Sequence, residues 1–223
     1  MNVAVRARVH RSLGDEIRLR IVDELAISDR TPAELGAGLD VPSNLLAHHL
    51  GVLEEAGLLV RHVSEGDHRK RYLSLRSELV PRLDLGDGIE AGSVLFVCTH
   101  NSARSRFAEA VLRMRAGLAV QSAGTHPAPV VHPKAVSAAV ELGFDITGSN
   151  TKGYDEVKGE PDLVISVCDR AREAPLPFQA RSLHWSIPDP VIGGGIDDFR
   201  AAFAVISDRV DLLVDALRQG ADQ

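Results

Sequence analysis

The residues with the sharpest chemical meaning lie together, Cys98-Thr99-His100-Asn101-Ser102-Ala103-Arg104-Ser105, directly after the apolar run Val94-Leu95-Phe96-Val97. The run reads as a buried strand and the residues from Ala103 as a helix, so the cysteine falls where a strand ends and a helix begins. At such a junction, unpaired backbone N–H groups and the positive end of the helix dipole converge on one point. A tetrahedral oxyanion fits a cradle made by Thr99, His100, Asn101, Ser102 and Ala103. Arg104, six residues beyond the cysteine, can return over the anion with a two-pronged contact. The same field favours thiolate over thiol, which would make Cys98 nucleophilic at neutral pH. Ser105 can donate a hydrogen bond to the sulfur, and Asn101 can hold the loop in shape. A Cys and an Arg at this spacing also recur by chance, and a buried cysteine ending a strand beside a surface arginine is the competing reading. No metal and no bound cofactor are expected.

These residues need a scaffold of strands alternating with helices, and the pattern from residue 93 onward supplies one. Ser93–Val97, Leu118–Ser122 and Leu163–Val167 read as strands; the stretches near Ala103–Ala116 and Pro133–Leu142 read as helices. A long closing helix repeats Phe199, Phe203, Ile206, Val210, Leu213 and Leu217 at steps of three and four. This alternation predicts an α/β domain with a parallel sheet and helices on both faces.

The first part of the chain has another rhythm. Val9, Leu13, Ile17, Ile21 and Leu25 recur at four-residue steps, divided between two helices by Gly14-Asp15. Thr31-Pro32-Ala33-Glu34 is a helix start with a capping box, and the helix stops by Val41-Pro42. A further helix begins at Ser43 and ends at Gly57, with Leu46, Leu50 and Leu53 on one face. Two strand-like runs, Leu58–Val63 and Arg69–Leu75, then form a hairpin. Two short helices and a hairpin make a mainly α winged helix-turn-helix, whose second helix enters the major groove while the wing lies on the phosphates. The helix from Ser43 offers Ser43, Asn44, Ala47 and His48 to base edges, and the hairpin carries His62, His68, Arg69, Lys70 and Arg71 toward the backbone. The competing reading is a solvated hairpin on a helical domain used for protein contacts. His48 and His49 are adjacent, point different ways on a helix and make a poor metal pair.

Composition is consistent with two soluble domains. The chain has 223 residues, 44% hydrophobic and 25% charged, with a net charge of −6. Residues 1–83 carry 12 basic and 12 acidic side chains, so the remainder holds the whole deficit. No apolar run is long enough for a membrane span, the N-terminus lacks the apolar block of a secretory signal, and two cysteines cannot build a disulfide framework. A cytoplasmic protein is expected. The boundaries read as a DNA-binding domain over 1–78, a Gly/Pro-containing acidic linker over 79–92, and an α/β domain over 93–223.

Two resemblances sharpen this. SLGDEIRLRIVDEL, TPAELGAGLDVPSNLLAHHLGVLEEAGLL and EGDHRKRYLSL look like the ArsR-type bacterial repressors, which implies operator DNA as partner and a homodimer formed through the N-terminal domain. This head has no cysteine before Cys98, which excludes the thiolate sensing found in many arsenic-sensing members. VLFVCTHNSARSRFAEAVL, QSAGTHP, HPKAVSAAVELG, DLVISVCD and HWSIPDP resemble the low-molecular-weight protein tyrosine phosphatase fold. The resemblance implies that Cys98 attacks the anion, Arg104 stabilises it, and Asp189 of the Asp-Pro pair is the acid; a bare Asp-Pro would more often be a turn.

CTHNSARS, HPAP and HWSIPDP look more like arsenate reductases of this fold, and no aromatic residue stands beside Asp189 to grip a phenyl phosphate. Arsenate, or a phosphate-like oxyanion, suits such a site. Thioredoxin-coupled members use two further cysteines. Cys168 matches the first and Pro175 stands at the second, so an external thiol, mycothiol or a similar one, is the expected reductant. Cys168 is either a resolving thiol or a small apolar strand residue. The expected function is a DNA-binding regulator that is also a thiol-dependent arsenate reductase. The alternatives are a regulator whose phosphatase-like half only senses an oxyanion, and a phosphatase fused to a DNA-binding head.

Overall fold

A computed structural model describes residues 3–76, 88–148 and 150–221, with side chains through residue 218. They fall into two units, each with its own core. The first contains α1 (Val3–Leu13), α2 (Glu16–Ile27), α3 (Pro32–Leu39), α4 (Ser43–Glu55), β1 (Leu59–Val63) and β2 (Arg71–Leu75). The break expected at Gly14-Asp15 is a helix cap, with the Asp15 carboxylate accepting the Arg18 N–H at 3.1 Å. The Thr31–Glu34 box is complete. Thr31 Oγ1 accepts the Glu34 N–H at 3.2 Å and Glu34 Oε2 accepts the Thr31 N–H at 2.8 Å, together satisfying donors that would otherwise cost about 1 kcal/mol. Pro42 holds the cap position of α4, so Ser43 is its first helical residue.

One face of these helices closes on Ile21, Leu25, Leu35, Leu46, Leu50, Leu53, Leu58 and Leu73. β1 and β2 pair antiparallel with Leu59 opposite Leu75 and Val63 opposite Arg71. Arg30 adds a short third rung through two backbone bonds to Leu73, of 3.3 and 2.8 Å. The strands are shorter than the expected runs because Leu58, Arg69 and Lys70 lie outside the paired register, Arg69 in the turn.

Of the stretch read as linker, residues 79–87 lie outside the described residues. Ile89 is buried and donates its N–H to the Ala216 carbonyl at 2.9 Å, so this end of the stretch packs onto the second unit.

That unit runs β3 (Ser93–Cys98), α5 (Arg104–Ala116), β4 (Ala119–Gly124), α6 (Pro133–Glu141), β5 (Leu163–Ser166), α7 (Asp169–Glu173), β6 (Arg181–His184), α8 (Pro190–Gly193) and α9 (Ile196–Ala221). The sheet is parallel in the order β4-β3-β5-β6. Its centre is apolar throughout, with Val94 to Cys98 all buried, as a covered parallel strand requires. The expected stripe of α9, Phe199, Phe203, Ile206, Val210, Leu213 and Leu217, is buried. Phe203 stacks on Phe107 of α5 with ring centres 4.0 Å apart and planes 2° apart. Among the described residues no helix is long and apolar enough to cross a membrane.

β3 has β4 on one side and β5 on the other, so the chain reverses its direction of travel across the sheet there. In open parallel sheets ligands bind at such a reversal, beyond the carboxyl ends of the strands. Cys98 is the last residue of β3.

Candidate active site

The loop from Cys98 to α5 is held from outside by the segment that follows β4. The carbonyls of Cys98, Thr99, His100 and Ser102 accept the N–H groups of Thr125 (3.1 Å), His126 (2.8 Å), Ala128 (3.0 Å) and His132 (2.9 Å). In a trans peptide the N–H points opposite to its carbonyl, and no cis bond occurs among the described residues. Tying four carbonyls outward therefore turns the N–H groups of Thr99, His100, Asn101 and Ala103 toward the inside of the loop. One of these is seen in use, the Asn101 N–H donating to Cys98 Sγ at 3.2 Å.

Asn101 is the loop's keystone. It is fully buried and adopts the left-handed backbone, φ 49°, which an asparagine tolerates better than most residues. The Lys152 N–H donates to its Oδ1 at 2.9 Å, and this fixes which way the amide faces. Its Nδ2 then donates to Ser105 Oγ at 2.9 Å and to Ser122 Oγ at 2.8 Å. Ser105 Oγ lies 3.0 Å from Cys98 Sγ, and against a thiolate, which can only accept, its hydroxyl is the donor. Two donors thus converge on the sulfur.

Arg104 opens α5. Its guanidinium donates to the Ile187 carbonyl at 2.7 Å and pairs with Asp189 Oδ2 at 3.1 Å. Burial disfavours its charge, but Cys168, Asp189 and Cys98 around it outweigh that and hold it more firmly protonated than a free arginine. Asp189 caps α8 through the Val191 N–H at 3.1 Å, which leaves its other oxygen on Arg104. The structure thus gathers Cys98, Asn101 and Ser105 in one cluster and Arg104 with Asp189 in another, joined through the loop. Thr99 is half-buried, His100 exposed, and Ser102 and Ala103 buried.

Cys168 lies beyond β5 at the start of α7, fully buried, with Thr99 Oγ1 3.5 Å from its sulfur. Burial pushes its thiol up; Arg104 works against this and Cys98 adds to it.

Several residues that support the loop lie inside the motifs quoted above, which assigned them no role. Gly124, opposite Cys98 in the sheet, leaves no room for a side chain, since a Cβ there would lie 2.8 Å from the Thr99 carbonyl oxygen. Ser122 lies on β4, and Glu109 and Arg106 form a buried ion pair of 2.7 Å on α5. Asp169 binds His184 Nε2 at 3.1 Å and the Ser186 hydroxyl at 2.8 Å, fastening the end of β5 to the end of β6.

In the first unit, Ser43, Asn44, Ala47 and His48 are exposed along α4, as are Arg69, Lys70 and Arg71 at the hairpin. His49 faces the other way and is buried, with Nδ1 3.5 Å from Asp15.

Comparison with known proteins agrees with both units. A helix-turn-helix domain model matches residues 13–62. The glutaredoxin arsenate reductase of Synechocystis sp. is 32% identical over 126 residues, 54% of this chain and 95% of that protein. An arsenate reductase of Bacillus subtilis is 34% identical over 115 residues, 49% of this chain and 82% of that protein. A solved structure of an arsenate reductase in the phosphate binding state superposes with a TM-score of 0.50 at 28% identity, covering 58% of this chain and 99% of that one. Since the family model of the low molecular weight phosphotyrosine protein phosphatases matches residues 93–222, more than half of its length, the chain belongs to that family.

Proposed function

We propose that the chain is an arsenate reductase carrying its own operator-binding head. The observation that carries the enzymatic reading is the convergence on Cys98 Sγ of the Asn101 amide and the Ser105 hydroxyl, within a loop whose N–H groups face inward. Thr99, His100, Asn101, Ser102 and Ala103 cradle the anion, and Arg104 clamps it. The Cys98 thiolate attacks arsenic, and the hydroxyl group of hydrogen arsenate takes a proton from Asp189 and leaves as water, forming an S–As bond. An external low-molecular-weight thiol, mycothiol or a similar one, then attacks the Cys98 sulfur. The S–As bond breaks, its electron pair stays on arsenic, arsenite departs, and Cys98 is left in a mixed disulfide. A second thiol releases Cys98 and leaves as the small disulfide.

The state of Cys168 supports an external thiol. Burial pushes its thiol up, away from the thiolate form that attacks. The head is read as ArsR-type, dimeric and cytoplasmic. Ser43, Asn44, Ala47 and His48 would face bases in the major groove, with Arg69, Lys70 and Arg71 on phosphates, a reading supported by their exposure and by the helix-turn-helix match.

The deciding experiment measures arsenite formation by wild type, Cys98→Ser and Cys168→Ser, with thioredoxin, glutaredoxin with glutathione, or mycothiol supplied separately. Loss with Cys98→Ser alone, and turnover only with a small-thiol system, is the expected result. No arsenite under any reductant, with arsenate still bound, would make the loop a sensor.

A further inference from the structure

The support of the nucleophile loop does not end at Asn101. Ser122 Oγ, which accepts the Asn101 amide, donates its hydrogen to Glu109 Oε2 at 2.6 Å. Glu109 is buried and held by Arg106 at 2.7 Å on the same oxygen and by Arg113 on the other. A carboxylate flanked by two guanidinium groups can only accept. Ser122, receiving from Asn101 and from Arg106 at 3.4 Å, has Glu109 as the acceptor for its own hydrogen. One continuous chain therefore runs from a buried ion pair on α5, through β4, to the sulfur.

We propose that Glu109 is a positioning residue for Cys98, acting through Ser122 and Asn101 on the two donors that meet the sulfur. The proposal rests on Cys98 as the nucleophile. Asn101 is held in a left-handed conformation that its hydrogen bonds must sustain. Three of them come from its side chain, and Ser122 is the partner that Glu109 anchors. When Ser122 loses its acceptor, the amide loses its seat, and both Asn101 N–H and Ser105 Oγ move off the sulfur. Lys152 also faces Glu109, and burial lowers its own proton affinity. Arg106, Arg113 and Lys152 thus surround the carboxylate, while Arg104, Cys168 and Tyr154 face Cys98.

The test is the rate of iodoacetamide alkylation of Cys98 against pH, in the full chain carrying Cys168→Ser. It needs no turnover, so failure of the arsenate reading and failure of this one are distinguishable. Ser122→Ala breaks the relay and leaves the ion pair. It should slow alkylation at neutral pH by roughly threefold to tenfold, the effect of weakening hydrogen bonds to a charged group, with convergence on the parent rate at high pH, where thiolate no longer needs support. Glu109→Gln should shift the profile in the same direction and less, because its amide oxygen can still take the Ser122 hydrogen. The double variant should match Ser122→Ala alone, since Glu109 acts only through Ser122. Superimposed profiles, or additive effects in the double variant, would overturn the proposal. Should Glu109→Gln not fold, Glu109→Asp replaces it, keeping charge beside the arginines while drawing it back from Ser122; a profile like the parent's would then overturn the proposal.

Discussion

Gly124 shows how much of the site depends on an atom that is not there. It stands opposite Cys98 across β3 and β4, and a Cβ would meet the Thr99 oxygen at 2.8 Å and the Asn101 nitrogen at 2.9 Å. Both contacts are with backbone, which cannot swing aside as a flexible side chain can. Gly124→Ala should therefore push the loop outward, lowering the proposed arsenate turnover by about tenfold or more and stability by about 1–3 kcal/mol, the usual cost of forcing a methyl group into a packed site. Steady-state rates and urea melts would check this; unchanged turnover would mean the loop has room to move. The residues legible from spacing, Cys98, Asn101, Arg104 and Ser105, lie within one contiguous loop, whereas Asp189 came only with the family resemblance. The roles of Gly124, Ser122 and Glu109 were not legible, although the quoted motifs contain all three. Their importance comes from neighbours brought to them by the β3–β4 register and by α5 lying against both strands.

Among elements, length separates what the sequence shows from what it hides. α9 and α5 are long enough for their apolar stripes to repeat, and β3 and β5 are runs of apolar residues. β6, α7 and α8 have four or five residues each, too few to display a period. They nevertheless fix the carboxyl edge of the sheet, because Asp169 at the start of α7 is bonded to His184 at the end of β6 and to Ser186 just beyond. Burial alone would raise the Asp169 carboxyl, but the hydrogen bonds it accepts, that from His184 foremost, outweigh burial and hold it below the usual range. A carboxyl depressed in the folded state adds stability above its unfolded value, and that stability fades as pH falls through the folded one. Asp169→Asn should thus be less stable than wild type at neutral pH, with the gap closing as pH drops below about 4. Urea melts across that range would reveal it. A gap that stays constant with pH would show that the lost stability is not tied to the charge.

At the scale of the whole molecule, the change of rhythm near residue 90 was readable because a hairpin after short helices and a strand–helix alternation leave different periods in a sequence. Their charges differ too. Residues 1–83 are balanced, and the remainder carries the entire −6. If the head binds DNA, the acidic remainder opposes approach to phosphates wherever the two come within a Debye length, about 8–10 Å at ordinary salt. At low salt the full chain should bind an operator duplex more weakly than its helix-turn-helix head alone, whose core is its own. Because salt weakens repulsion and attraction alike, the two affinities should converge as salt rises, giving the full chain the shallower plot of log affinity against log salt. Replacing Arg69, Lys70 and Arg71 by alanine should flatten both plots equally, by about 0.9 for each phosphate contact removed. Parallel plots for head and full chain would show that the acidic domain exerts no field on the DNA, and an unchanged slope in the triple variant would take the hairpin off the phosphates.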